Sequence, residues 1–295
     1  MLKYFLKAIS LLVLCLSCTD SNNKRIGPEY ELEFSKYSKK IDEGRIKYLQ
    51  LAGLFKFNAA EHTFGSALGN SFLVESPSAA AYIGTFKTNS TDSIIGFTSA
   101  ENVEIKTADD SVVQTIKLDR DESGSSEMLF HGDMKWQVIT RSGSQYLRVW
   151  DKKHPMVERF NGYAKYPLND EFIFDGEFNY YESSQEAEVP SQLGVNARTT
   201  FIGTVKFIYR GKPCELQVGQ NGFTMVMDET SGNETYGGGR YIYLDLPEQN
   251  GPVEIDFNRL YNPPCSFSQF TTCLYPPQGN HLPFDLNAGE LIRRL

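Results

Sequence analysis

Between Asp228 and Arg240 the chain reads Asp-Glu-Thr-Ser-Gly-Asn-Glu-Thr-Tyr-Gly-Gly-Gly-Arg. Between Asp256 and Cys265 it reads Asp-Phe-Asn-Arg-Leu-Tyr-Asn-Pro-Pro-Cys. Carboxylate, hydroxyl, amide, guanidinium and thiol groups are thus crowded into two short spans flanked by strand-like stretches. Asp228, Thr230, Thr235, Tyr236, Arg240, Asp256, Asn258 and Asn262 could line a polar pocket. In such a pocket Arg240 would hold a carboxylate or phosphate in its planar fork. Asp228 or Asp256 would orient the ligand or act as a base. The same residues could instead form a buried Arg–Asp pair, with Asx turns closing the strands. Gly237-Gly-Gly permits close backbone approach or positive φ. It lacks the lysine and the following helix of a phosphate-binding loop.

The thiols allow two chemistries. Two prolines hold Cys265 on a rigid turn. As a nucleophile it would need a base or cation to lower its pKa, for which His281 and Arg240 are the candidates. Alternatively, Cys265 and Cys273, eight positions apart, could close a small disulfide ring in an oxidising compartment. Cys214 alternates with Leu216 and Val218 and reads as a core thiol. Cys265, Cys273 and His281 are spaced more widely than the tight ligand pairs of metal clusters, so neither metal nor cofactor is expected. His62, His131 and His154 stand alone and read as solvated or capping. A third polar group is Arg141, Arg148 and Asp151. Arg148 and Trp150 share a strand face, which permits cation–π stacking. If the two halves of the chain pack together, this group would join the Arg240 site at their junction, a usual place for pockets. Catalytic candidates are therefore Cys265, Asp228 and Asp256. Ligand-binding candidates are Thr230, Thr235, Tyr236, Arg240, Asn258, Asn262, Arg141 and Arg148.

The start of the chain carries an address. Lys3 and Lys7 precede an apolar run from Ala8 to Leu16, followed by Ser17 and Cys18. A basic region, a short apolar core and a small residue before the cut make a secretory signal over residues 1–17. The run is too short to span a bilayer. Cys18 after a small residue is the expected lipidation site, whose acyl chains would anchor the protein to a membrane. Residues 18–27 read as a polar tether. Without the signal, 27 basic residues face 37 acidic ones, a net charge of about −10. That balance argues against nucleic acid and against an anionic membrane face.

The rest positions the chemistry. Residues 28–46 start with a proline and carry sparse apolar positions, predicting one short helix. Beyond it, short alternating stretches separated by Gly and Asn turns predict antiparallel sheet in sandwich or barrel form. Tyr48 to Ala52 and Leu54 to Phe57 read as strands. Thr140 to Gly143 turns a hairpin between Trp136 to Ile139 and Tyr146 to Trp150. Phe201, Gly203, Val205, Phe207 and Tyr209 fall on one face of a long strand. The acidic stretch from Ser183 to Ser191 has no pattern and reads as a loop.

Thr230 to Arg240, Asp256 to Cys265, Cys273, Ala288-Gly-Glu290, Arg141-Ser-Gly and Leu147 to Asp151 resemble a bacterial family known as domain of unknown function 1684. The resemblance covers most of residues 45–292 and implies an architecture and a site but no reaction. Within it, Thr63-Phe-Gly-Ser66 and Ser78 to Thr85 look like a degenerate forkhead-associated β-sandwich over residues 47–165, followed by a C-terminal β domain over residues 166–295. In that fold an arginine, a serine and a histidine hold a phosphothreonine. Ser66 and Tyr82 stand at the arginine and histidine positions, and only Ser78 matches. Phosphate binding needs charge-assisted donors, so phosphopeptide binding is not expected. The sequence therefore points to a lipid-anchored, all-β envelope protein that recognises a small polar or anionic ligand or an envelope partner. The alternatives are a hydrolase using Cys265 or an aspartate near Arg240, and a scaffold with no small-molecule site.

Overall fold

The computed structural model describes residues 25–88, 94–118 and 125–294. The expected signal, the expected lipidation site Cys18 and most of the expected tether lie outside the described residues. Helix α1 (Pro28–Leu49) leads the chain. It starts where Pro28 can sit at a helix N-terminus without wasting a donor. It runs past the expected end at Ile46, so Tyr48 and Leu49 are helical and only Leu51 opens a strand. The extra turn follows from burial, because Arg45 and Leu49 both pack inward.

Eleven strands follow: β1 (Leu51–Lys56), β2 (Glu61–Gly65), β3 (Phe72–Leu73), β4 (Gly84–Thr88), β5 (Ile95–Ser99), β6 (Ile105–Lys106), β7 (Val112–Val113), β8 (Thr115–Leu118), β9 (Leu129–His131), β10 (Met134–Arg141) and β11 (Ser144–Asp151). They form a six-stranded sheet ordered β1-β11-β10-β9-β6-β7 and a five-stranded sheet ordered β3-β2-β4-β5-β8. Phe64, Phe86, Phe97, Trp136, Val138 and Leu147 from both sheets share one core. The β10–β11 hairpin pairs Arg141 with Ser144 across Ser142 and Gly143, whose φ values of 47° and 75° suit a two-residue hairpin turn. Trp136 and Val138 face the core, while Arg141, Arg148 and Trp150 lie on the opposite face. His62 is buried and stacked on Phe72, with ring centroids 4.4 Å apart; an aromatic environment, not solvent, absorbs it.

After a short helix α2 (Met156–Arg159), the second region comprises β12 (Tyr163–Lys165), β13 (Ile173–Val189), β14 (Ala197–Tyr209), β15 (Lys212–Gly219), β16 (Phe223–Asp228), β17 (Arg240–Tyr243), β18 (Gly251–Asp256), β19 (His281–Leu282) and β20 (Glu290–Arg294). Its main sheet is ordered β15-β14-β13-β18, and β17-β16-β19 and β12-β20 pack beside it. These sheets stay open, and the described residues close no barrel. Phe178, Val205, Val218, Val226, Ile255 and Phe257 fill this second core. The stretch from Ser183 to Val189, expected as a loop, is strand. It pairs with β14 from Gln185 opposite Phe201 to Val189 opposite Ala197, after a register shift beyond Tyr180. Its glutamates escape the alternation rule because both faces of this projecting hairpin are largely solvated. Among the described residues, no helix is long and apolar enough to cross a membrane.

Candidate functional site

Arg240 opens β17 at the rear of the polar span and is fully enclosed. Its Nη2 donates to Asp228 Oδ2 at 2.9 Å and to the Leu286 carbonyl at 3.0 Å. Its Nη1 donates to the carbonyls of Ala288 and Glu290. Burial pulls the guanidinium down, and the Asp228 carboxylate opposes that pull. Asp228 is spent in turn. Its Oδ1 accepts from the Thr230 amide at 2.9 Å, the Thr230 hydroxyl at 2.6 Å and the Leu286 amide at 3.2 Å. Thr230 and Thr235 share a hydroxyl contact of 2.8 Å. The expected pocket around Arg240 is thus a sealed clasp that ties the polar span to the segment entering β20. The physical reason is supply: three backbone carbonyls and a carboxylate occupy both terminal nitrogens, and Nε, though without a partner, is buried, so no donor faces outward to a ligand.

Gly239 completes this clasp. Its φ is +80°, and a Cβ there would meet Pro276 Cγ at 2.5 Å and the Val226 carbonyl at 2.8 Å. The triple glycine is therefore a close-approach device.

Asp256, Asn258 and Asn262 serve the same framework. Asp256 accepts from Tyr30 of α1 at 2.8 Å and from the Asn258 amide at 3.1 Å, and it is ion-paired with Arg259 at 2.9 Å. Asn258 exchanges hydrogen bonds with the backbone of Asn169 at 3.0 and 3.1 Å. Asn262 donates its side-chain amide to the Leu291 carbonyl at 2.7 Å and its backbone amide to Glu290 at 2.8 Å. With both aspartates committed to buried donors, neither stands free as a base.

Glu290 is a hub that local reading misses. It takes Arg45 of α1 on both carboxylate oxygens, Nη1 reaching Oε1 at 3.0 Å, and Lys165 lies 3.7 Å away. Arg45 is 3% exposed and sits among the rings of Phe160, Tyr163 and Phe267 at 5.2 to 6.0 Å. An arginine and a glutamate separated by most of the chain carry no spacing signal. The one available hint is Ala288-Gly-Glu290, where Gly289 has φ +73° and a Cβ would meet the Leu260 carbonyl at 2.5 Å.

Cys265 and Cys273 are free thiols brought together by the Pro263–Pro264 turn and the loop that follows. The Cys265 backbone amide donates to Cys273 Sγ at 3.2 Å. The contact with Cys273, reinforced by burial, pushes the Cys265 thiol far up, whereas the hydrogen bond from Cys265 holds Cys273 below its ordinary value. Tyr236 and Tyr241 border the pair. Of the two sulfurs, Cys273 is the one that accepts a backbone amide. The bases expected for Cys265 lie elsewhere, since His281 faces Glu229 at 3.3 Å and Arg240 is sealed. Cys214 is half-buried against the second core. Mild oxidation should yield a Cys265–Cys273 cross-linked peptide and leave Cys214 alkylatable. Peptide mass mapping checks this, and any Cys214 cross-link would contradict the arrangement.

Arg141 and Arg148 meet the second region. Arg148 donates to the Thr272 hydroxyl at 3.2 Å, and the Ser142 hydroxyl donates to the Asn196 carbonyl at 3.2 Å. Arg148 lies over Trp150, its guanidinium carbon 6.0 Å from the ring centroid. A cleft of about 730 Å³ opens here, lined by Arg141, Arg198, Asn196, Thr272 and Glu188. Burial, reinforced by the Arg141 cation, pulls Arg148 down to about 10. Among the described residues, neither Arg141 nor Arg148 has a carboxylate partner; Arg141 spends Nη1 on the Thr140 carbonyl at 2.7 Å. The junction group thus adjoins the thiol pair through Thr272 and Cys273. Its third expected member, Asp151, faces away, fully buried against Ser76, Ser78 and the Lys153 amide. The structure does not join it to the Arg240 clasp. Among the described residues, no three His, Cys, Asp or Glu side chains cluster to hold a metal.

This is an all-β chain whose densest polar motifs build a framework around a thiol pair and a junction cleft. Residues 158–291 match the family described as protein of unknown function DUF1684. That span includes both polar motifs, both cysteines and the Ala288-Gly-Glu290 turn, and it leaves out the sandwich before residue 158. An uncharacterized protein of Haloarcula marismortui, solved by solution NMR, is similar at 22% identity. The similarity covers 47% of this chain and 80% of that one, with a TM-score of 0.39. No curated protein matches the chain.

Proposed function

We propose that the protein is a lipid-anchored envelope protein that binds a small anion in the junction cleft. The observation that carries the reading is Arg141, which lines the cleft, together with Arg148, which feels the Arg141 charge and bonds the cleft residue Thr272; both are partly desolvated and neither is matched by a carboxylate among the described residues. Two unneutralised cations held near one another repel, and an anion between them relieves both the repulsion and the lost solvation. Glu188 and Arg198, paired across β13 and β14, also line the cleft. Lys3, Lys7, the apolar run and Cys18 support the anchor. The face-to-face six- and five-stranded sheets support a forkhead-associated-like sandwich. Ser66 donates to the Ala79 and Ala80 carbonyls and Ser78 to Asp151, so neither is presented to a phosphopeptide.

Inorganic phosphate, titrated at constant ionic strength, should raise the melting temperature. At a hundredfold excess over Kd the gain is about 2.7 kcal/mol, or about 5–10 °C. Arg148→Gln and Arg141→Gln should each remove most of it. The gain should hold from pH 7 to 9 and fade above about 10, where Arg148 loses its proton. Equal gains from chloride, or an unchanged gain in Arg148→Gln, would reject the reading. Thiol chemistry is the second reading, favoured by the placement of Cys273 beside Arg148. It would show as alkylation of Cys273 outpacing that of Cys214 at neutral pH.

A further inference from the structure

Where α1 crosses the open side of β16 and β17, a second cleft of about 620 Å³ remains. Its helix wall presents Tyr37, Lys40, Gly44 and Lys47, and its floor presents Tyr243 and Tyr261. Tyr37, Lys40, Gly44 and Tyr48 form one stripe of the helix. Three observations single this cleft out. Gly44 stands inside a helix, where glycine weakens the structure. A Cβ there would meet nothing within 4 Å, so no protein packing calls for the missing side chain, and its absence enlarges the cleft. Tyr243 is 53% exposed although it is a large aromatic. Its ring lies nearly parallel to that of Tyr261, at an angle of 8° with centroids 6.5 Å apart. Finally, Lys40, Lys47 and Asp245 stand at the mouth without ion pairs among the described residues, although cations and a carboxylate share one opening.

We propose that this cleft binds an acidic saccharide. A sugar ring has an apolar C–H face, which suits the electron-rich faces of Tyr243 and Tyr261. Its hydroxyl edge has donors for Asp245 and acceptors for the tyrosine hydroxyls. A ring carboxylate would take Lys40 and Lys47, which otherwise lack a counter-charge. An aromatic acid would satisfy the rings and the lysines but leave Asp245 facing it without a donor. The site is separate from the anion-binding junction cleft and shares none of its lining residues.

The test is calorimetric titration of the full chain with tetragalacturonate, a neutral tetragalactoside and benzoate. Tetragalacturonate should bind, and the neutral sugar should bind about tenfold more weakly for want of the lysine contacts. Gly44→Leu should block the cleft and weaken binding at least about tenfold, with no fall in melting temperature because leucine is the better helix former. Tyr243→Ala, at an exposed position, should weaken binding about tenfold through the lost ring face. Arg148→Gln should leave tetragalacturonate binding unchanged, and Gly44→Leu should leave the phosphate effect unchanged, so the two sites fail separately. No binding of tetragalacturonate, equal binding of the neutral sugar or of benzoate, or full affinity in both Gly44→Leu and Tyr243→Ala would overturn the proposal.

Discussion

Arg240→Met lowers the unfolding free energy by about 3–5 kcal/mol, the cost of stripping one partner from a buried ion pair. The side chain is fully enclosed, so the loss is not softened by water. Removing it strands the Asp228 carboxylate at 0% side-chain exposure and leaves the Leu286 and Ala288 carbonyls without their donors. Arg240→Lys should recover little, since a point charge cannot serve a carboxylate and two carbonyls in one plane. Arg240→Met combined with Asp228→Asn should be less damaging than the sum of the single changes, because no uncompensated charge remains. Guanidinium denaturation measures all of these. A loss below about 1 kcal/mol for Arg240→Met would mean that the guanidinium reaches solvent, and a ligand role for Arg240 would return.

The second large effect is at the bolt between α1 and β20. Arg45→Ala should cost about 3–5 kcal/mol by leaving Glu290 buried without its main cation. Lys165 at 3.7 Å offers partial relief. Arg45 also covers Phe160, Tyr163 and Phe267 with its stem and its charge, so packing is lost along with the ion pair. The helix itself carries a thin apolar face, with only Arg45 and Leu49 buried. An isolated helix of this kind has little to hold it. Limited proteolysis should therefore cut Arg45→Ala within residues 28–49 before it cuts either β region. Co-operative loss of everything at once, with no early cut in α1, would show that the helix is held by other contacts. Glu290→Gln should act similarly, since it also weakens the acceptor for the Asn262 amide.

The two pairings differ in how far local pattern announces them. Asp228 and Arg240 are near neighbours in the chain and legible as a possible pair. Whether they face a ligand or the backbone depends on Leu286 and Ala288, delivered from far downstream. Arg45 and Glu290 lie 245 positions apart, and nothing in either neighbourhood marks them. The reverse holds at Ser183 to Val189. Its acidic composition hid a strand whose hydrogen bonds come from β14 whatever its side chains. His62 looked solvated because a single histidine has no periodicity of its own, yet Phe72 covers it.

By itself the sequence determined the all-β character, the leading helix, the β10–β11 turn and the places where polar groups are dense. These follow from periodicity and turn chemistry, which act over a few residues. The tertiary structure alone decided that Arg240, Asp228, Asp256 and Asn258 are framework, that the Cys265 amide is aimed at the Cys273 sulfur, and that Arg141 at the cleft and Arg148 beside it are left without carboxylates among the described residues. A buried charge takes its meaning from whatever fills its coordination shell. In a sheet protein that shell is assembled from strands distant in the chain, by backbone pairing that is blind to the charge it encloses.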